Sequence, residues 1–158
     1  MDPDIDIDVH ETLELEDFSL DLHIMSDRLF QAKLVGHDPV AMECWSLHPA
    51  DWYFPLHLPT LRASISEKVI HSWVKARKLL TVEGDLYSAQ NSLYHSFRIA
   101  GYGIQLATQG RITQWKESNS YLDEVRTLEP SWELWDQTFR ARNRAVMTEF
   151  KSLAPKST

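Results

Sequence analysis

The sequence predicts an α+β protein, a small acidic β-sheet fragment at the N-terminus followed by a bundle of four to five helices. Three observations carry this prediction. Residues 4–10 alternate strictly between Asp or His and Ile or Val, the period of a half-buried strand. From Ser26 onward apolar residues recur at 3/4 spacing, the period of helices buried along one face. A chain of 158 residues, 43% hydrophobic and 25% charged, can bury a core without disulfides or structural metal.

Taken in order, the strand over 4–10 sets Ile5, Ile7 and Val9 on one face and Asp4, Asp6, Asp8 and His10 on the other. Like charges stacked on a strand face repel, so water or a cation must balance them. A second alternation through Leu13, Leu15, Phe18, Leu20 and Leu22 completes a hairpin or a three-stranded fragment, with Asp21 and His23 at its end. Ser26 then opens a helix carrying Leu29, Phe30 and Leu34, and the Gly-His-Asp-Pro run at 36–39 stops it. A short helix or strand follows over 40–47. Residues 48–59 hold three prolines and three aromatics and read as an ordered loop packed on the body.

Ser64 and Glu67 have capping-box spacing ahead of a helix to about Val82, with Val69, Trp73, Ala76 and Leu80 as its apolar stripe. A turn at 83–85 ends it. The next helix spans 89–109 and closes at Gly110, the position of a C-terminal stop. Two more are expected over 114–127 and 131–152. Residues 1–152 read as one domain, with the sheet fragment over 1–25, the helices over 26–152, and a frayed tail at 153–158.

The net charge of -7 hides an asymmetry: residues 1–27 hold ten carboxylates and no Lys or Arg, whereas all 16 basic residues follow. An acidic head precedes a mildly basic body. The single cysteine, Cys44, excludes an intramolecular disulfide, and its apolar neighbours in 41–47 place it in the core. No run approaches the roughly 18 apolar residues of a membrane span, and the N-terminus lacks the layout of a signal peptide, so a cytoplasmic protein is expected. A glycine-rich phosphate loop, a dinucleotide fingerprint, a Ser-His-Asp arrangement and zinc-hydrolase histidine spacing are all missing from the sequence.

Across 89–109 the only formally charged residue is Arg98, which predicts a helix covered on most sides. At about 100° per residue, Asn91, His95, Arg98, Tyr102 and Gln105 fall on one stripe, opposite Leu93, Phe97, Ala100, Ile104 and Ala107. A buried Arg needs an anionic partner or a wet cavity. Two readings follow. In one the stripe lines a polar cleft, shared with His71, Lys75 and Lys78 of the preceding helix and suited to a nucleotide triphosphate. In the other Arg98 pairs with a core carboxylate such as Glu43, while His95 and Gln105 satisfy buried backbone.

Aspartates at alternate strand positions point the same way about 7 Å apart, so Asp4 and Asp6 can converge on a divalent ion, with Asp21 from a neighbouring strand as third ligand. Asp6 and Asp8 satisfy the same spacing.

The strings DIDIDV, LDLHIMSDRLFQAKLVGHDPVAMECWSL and GDLYSAQNSLYHSFRIAGYGIQLATQGRI together resemble predicted nucleotidyltransferases of the DNA polymerase beta superfamily, of the phage and viral kind. The helical part, around SLYHSFRI and GIQLATQGRI, is the more specific. The resemblance implies transfer of a nucleoside monophosphate from an NTP to a hydroxyl on a nucleic-acid or protein acceptor. Asp4, Asp6 and Asp21 would be catalytic and would hold Mg²⁺ or Mn²⁺, and Lys75, Lys78, His95, Arg98, Tyr102 and Gln105 would contact substrate. The family's Gly-Ser turn does not precede Asp4, and Asn91 stands where a Lys is expected. Those departures leave open a truncated product, one half of a split enzyme, or a non-catalytic domain that binds nucleotide, nucleic acid or another protein. A missing strand and helix would also expose a sheet edge and apolar surface, favouring a homo-oligomer or a partner subunit.

Overall fold

The computed structural model describes residues 7–16, 19–49 and 52–156. The N-terminal alternation forms an antiparallel hairpin of β1 (Asp8–Glu14) and β2 (Ser19–Met25), with Asp8 opposite Met25, His10 opposite His23 and Thr12 opposite Asp21. Among the described residues the predicted sheet fragment is two-stranded, and its first strand runs on to Glu14, four residues past the predicted end at His10. Asp21 and His23 lie within β2 rather than at its end. Asp4, Ile5, Asp6 and Phe18 lie outside the described residues.

Directly opposed residues share a face. One face of the hairpin gathers Val9, Leu13, Leu20, Leu22 and Ile24 around Glu11, and the other carries Asp8, His10, Thr12, Glu14, Asp21 and His23. Neither strand packs extensively on a helix. The hairpin is tied to the body where the Ser26 N–H donates to the Ile7 carbonyl at 2.9 Å.

Among the described residues six α-helices follow: α1 (Asp27–Val35), α2 (Pro39–Leu47), α3 (Leu58–Lys78), α4 (Leu86–Gln109), α5 (Asn119–Thr127) and α6 (Trp132–Leu153). Ser26 caps α1 as its sequence position predicts, its Oγ accepting from the Leu29 N–H. The Asp38-Pro39 pair both stops α1 and starts α2: Asp38 Oδ1 accepts from the Val40 and Ala41 N–H groups, and Pro39 occupies the first turn, where no N–H is needed. By the same logic Pro59 sits in the first turn of α3, so that helix begins six residues before the capping-box serine. Ser64 is thus an interior residue, and its hydroxyl donates instead to the His37 carbonyl at 2.6 Å. α3 passes at Lys78 into one π-helical turn (Leu79–Glu83), closed by Gly84 at φ 70°. α5 starts at Asn119, five residues later than predicted, because the segment before it is bound to α4.

α4 is the central element, packing on α3, α5 and α6. One core cluster joins Leu34, Met42, Leu61, Ile65, Leu106 and Phe150, and a second joins Leu93, Phe97, Val125, Trp135 and Phe139. α6 extends through Leu153, and Ala154 is fully buried with its carbonyl accepting from Arg62, so the expected frayed tail is ordered in its first part. Where α3, α4 and α6 meet, a Cβ on Gly103 would lie 2.9 Å from Phe150 Cε2 and 3.0 Å from Ile65 Cγ2. Gly103→Ala should therefore destabilise the fold by about 1–3 kcal/mol in urea unfolding, despite alanine's better helix propensity. Among the described residues no helix is long and apolar enough to cross a membrane.

Candidate functional site

The polar stripe of α4 is present as the sequence arranges it, and most of its groups are engaged with protein. Arg98 Nη2 donates to Glu43 Oε2 of α2 at 2.5 Å, and its Nε donates to the Tyr102 hydroxyl at 2.8 Å. Tyr102 donates onward to the Trp115 carbonyl at 3.2 Å. Gln105 Nε2 donates to the Gln114 carbonyl and to Glu117 Oε2, and its Oε1 accepts from the Thr113 and Gln114 N–H groups at 2.9 and 2.8 Å. Tyr102 and Gln105 are each 4% exposed. The stripe holds α2 on one side and the 112–117 segment on the other, satisfying backbone groups that would otherwise be buried unpaired.

Burial pushes the Glu43 carboxyl up, against the pull of Arg98 and with a smaller push from Asp38. Burial alone would lower the Arg98 guanidinium, but Tyr102 and Glu43 outweigh it and stabilise the charge. Arg98 and Glu43 pair at 2.5 Å, with each side chain about a quarter exposed. His95 is held below the ordinary histidine range by burial first, then by Arg98 and Lys75. Lys75 of α3 thus reaches the field of the stripe. Lys78 does not join it, pairing at 2.8 Å with Glu83 on the π-helical turn.

The predicted carboxylates are placed less favourably. Asp21 accepts from the Thr12 hydroxyl at 2.8 Å. Thr12 lies four residue steps along β1 from Asp8, roughly 13 Å, so Asp21 and Asp8 do not share an ion. Asp8 instead bonds His23 Nε2 at 2.5 Å and Lys33 at 3.4 Å, which together hold its carboxyl below the usual range. The His10 ring stands edge-on to His23, centroids 4.3 Å apart. Among the described residues no group of three His, Cys, Asp or Glu is arranged to hold a metal ion. Asp4 and Asp6 fall outside them. Cys44, expected in the core, is instead exposed at a groove between the hairpin and α1–α2, where partial loss of water around the thiol, with Glu43 nearby, pushes its pKa up, away from nucleophilic thiolate.

Two surfaces stand out that sequence reasoning did not single out. On the hairpin, Ile7, Val9, Leu13, Leu15, Leu20 and Ile24 are 38–54% exposed. Between α3 and α6 runs a trough: a groove of about 380 Å³ floored by Val69, Trp73 and Met147 and rimmed by Ile70, Val74, Arg140, Arg144 and Lys151. It continues past Lys151 into a second groove bordered by Arg62, Ser66 and Lys156. Among the described residues no carboxylate lines either groove. Arg140 is paired with Asp136, and Arg62 caps the end of α6, donating to the Lys151 and Ala154 carbonyls. Arg144 and Lys151 have no carboxylate partner among the described residues. Ser66 Oγ is buried there without a hydrogen-bond partner among the described residues. The signal in the sequence was Ile70 and Val74, an i, i+4 apolar pair outside the Val69-Trp73-Ala76 stripe, with Arg144 and Lys151 one heptad apart on α6.

Compared with family models, with curated proteins and with solved structures, the chain matches none.

Proposed function

We propose that this chain is a non-catalytic protein-interaction domain. The carrying observation is the hairpin, whose aliphatic face stands in water, 38–54% exposed at six positions. A two-stranded hairpin is marginal alone, and a contiguous apolar face on it gains most from a partner's cover. The α4 stripe supports the same reading, because Arg98, Tyr102 and Gln105 already have protein partners.

A second reading keeps the nucleotidyltransferase reaction that the family resemblance implies. It is favoured by the cationic groups around His95, with Arg98 on α4 and Lys75 on α3 acting on one ring. In it an NTP phosphate would bind there, with Mg²⁺ or Mn²⁺ on Asp4, Asp6 and Asp21.

Thermal unfolding with Mg²⁺ or Mn²⁺ plus each NTP separates the two. The interaction reading expects no nucleotide-dependent shift, and Leu13→Asp/Ile24→Asp should change stability by no more than about 0.5 kcal/mol per site because both residues are exposed. A bound NTP at 100 times its dissociation constant would stabilise by about 2.7 kcal/mol. Such a shift, lost in Asp4→Asn/Asp6→Asn, overturns the interaction reading in favour of catalysis.

A further inference from the structure

Resting on the interaction reading, we infer that the partner of the hairpin is a second copy of this chain, and that the hairpin of one molecule seats in the α3–α6 trough of the next. Each surface alone names no occupant. Together they are complementary in chemistry, charge and length.

The chemistry matches because both surfaces are aliphatic. The hairpin offers Val9, Leu13, Leu20 and Ile24, and the trough offers Ile70 and Val74, 62% and 59% exposed, beside Trp73 and Met147. The charges are opposite. Residues 1–27 carry ten carboxylates and no Lys or Arg, with Glu11 set within the aliphatic face itself. The trough and its continuation present Arg144, Lys151 and Lys156, cations able to pair with an incoming carboxylate. The lengths agree as well: a seven-residue strand spans roughly 23 Å, and the α3 positions bordering the trough, Pro59 to Val74, span about the same along a helix.

Charge also selects this pairing over the symmetric one. Aliphatic face against aliphatic face would bury the Glu11 carboxylates of both copies in one apolar contact, on a face that carries no Lys or Arg to pair them, and that opposes association. Within one molecule the hairpin is tied to α1 by the Ser26–Ile7 hydrogen bond and the Asp8–Lys33 contact. The contact between copies is then heterologous, so each bound molecule still presents one free hairpin and one free trough, and the assembly extends or closes into a ring.

The test is sedimentation of the full chain across a concentration series at low and high ionic strength, with two variants. Leu13→Asp/Ile24→Asp damages the hairpin, and Ile70→Glu/Val74→Glu puts like charge in the trough. All four sites are exposed, and circular dichroism checks that the helices persist. The wild type should associate with concentration, less so in high salt. Each variant alone should sediment as a monomer, and an equimolar mixture should give a one-to-one dimer that grows no further, because only one intact hairpin and one intact trough remain to meet. A wild type that stays monomeric at every concentration overturns the second-copy proposal. So does a trough variant that still self-associates, or a mixture that stays monomeric. The interaction reading falls on a different result, the nucleotide-dependent shift, so the two failures are told apart.

Discussion

Arg98→Ala is expected to destabilise the protein by about 3 kcal/mol, the lower end of what breaking a buried ion pair costs, since the two side chains keep 26% and 22% exposure. The loss has two parts. The guanidinium leaves α4 without its link to α2, and Glu43 remains as a carboxylate in a site whose burial already pushes its pKa up. Without Arg98 that carboxyl rises further above its ordinary value of 4.5. A carboxyl raised in the folded state binds protons more tightly than in the unfolded chain, so the variant regains stability as pH falls toward the unfolded value. The difference from wild type should therefore narrow on acidification in urea unfolding. Arg98→Met/Glu43→Met should recover most of the loss, because removing both charges leaves none unpaired. Should Arg98→Ala instead leave stability within about 0.5 kcal/mol and abolish NTP binding, Arg98 is a substrate residue and the structural account of the stripe is wrong.

Much of this arrangement is legible in the sequence because it is local. The alternation of apolar and polar residues gives a hairpin, Ser26 and Gly110 mark helix ends, and the isolated Arg98 announces a covered helix with a polar stripe. What failed were features decided by distant groups. Ser64 and Glu67 have the spacing of a cap, but Ser64 finds the His37 carbonyl, and Pro59 permits α3 to start earlier. Residues 114–118 have helical composition, yet Gln105 binds the N–H of Thr113 and Gln114 and the carbonyl of Gln114, holding that segment out of α5. Glu43 is 55 residues from Arg98. Periodicity says that the arginine needs a partner but not which carboxylate folding delivers. The α3–α6 trough is equally non-local, since its apolar rim lies on one helix and most of its charge on another.

His37→Ala should cost about 3–5 kcal/mol, more than any single surface contact, because it removes a buried ring and the two hydrogen bonds that ring makes. It is 1% exposed, its Nδ1–H donates to the Val35 carbonyl at 2.8 Å, and its Nε2 accepts the His57 N–H at 2.9 Å, joining the turn after α1 to the start of α3. These partners fix the neutral tautomer, and burial, opposed by the Val35 hydrogen bond, holds the ring below its usual pKa of 6.5. Its backbone also sits at φ 57°, a left-handed position that asparagine tolerates better than alanine, so His37→Asn should lose less than His37→Ala. The pH dependence follows from the sign of the shift. Below 6.5 the unfolded chain takes up a proton that the folded ring refuses, so stability declines as pH falls, until the depressed folded pKa is reached. His95 is depressed by burial in the same direction, and each histidine contributes up to about 1.4 kcal/mol per pH unit within its window. Urea unfolding between about pH 7 and pH 5 should show the wild type weakening and His37→Asn weakening with a shallower slope. Equal slopes would mean that His37 takes up its proton in the folded protein, breaking the bond from the His57 N–H and with it the account of how α1 and α3 are joined.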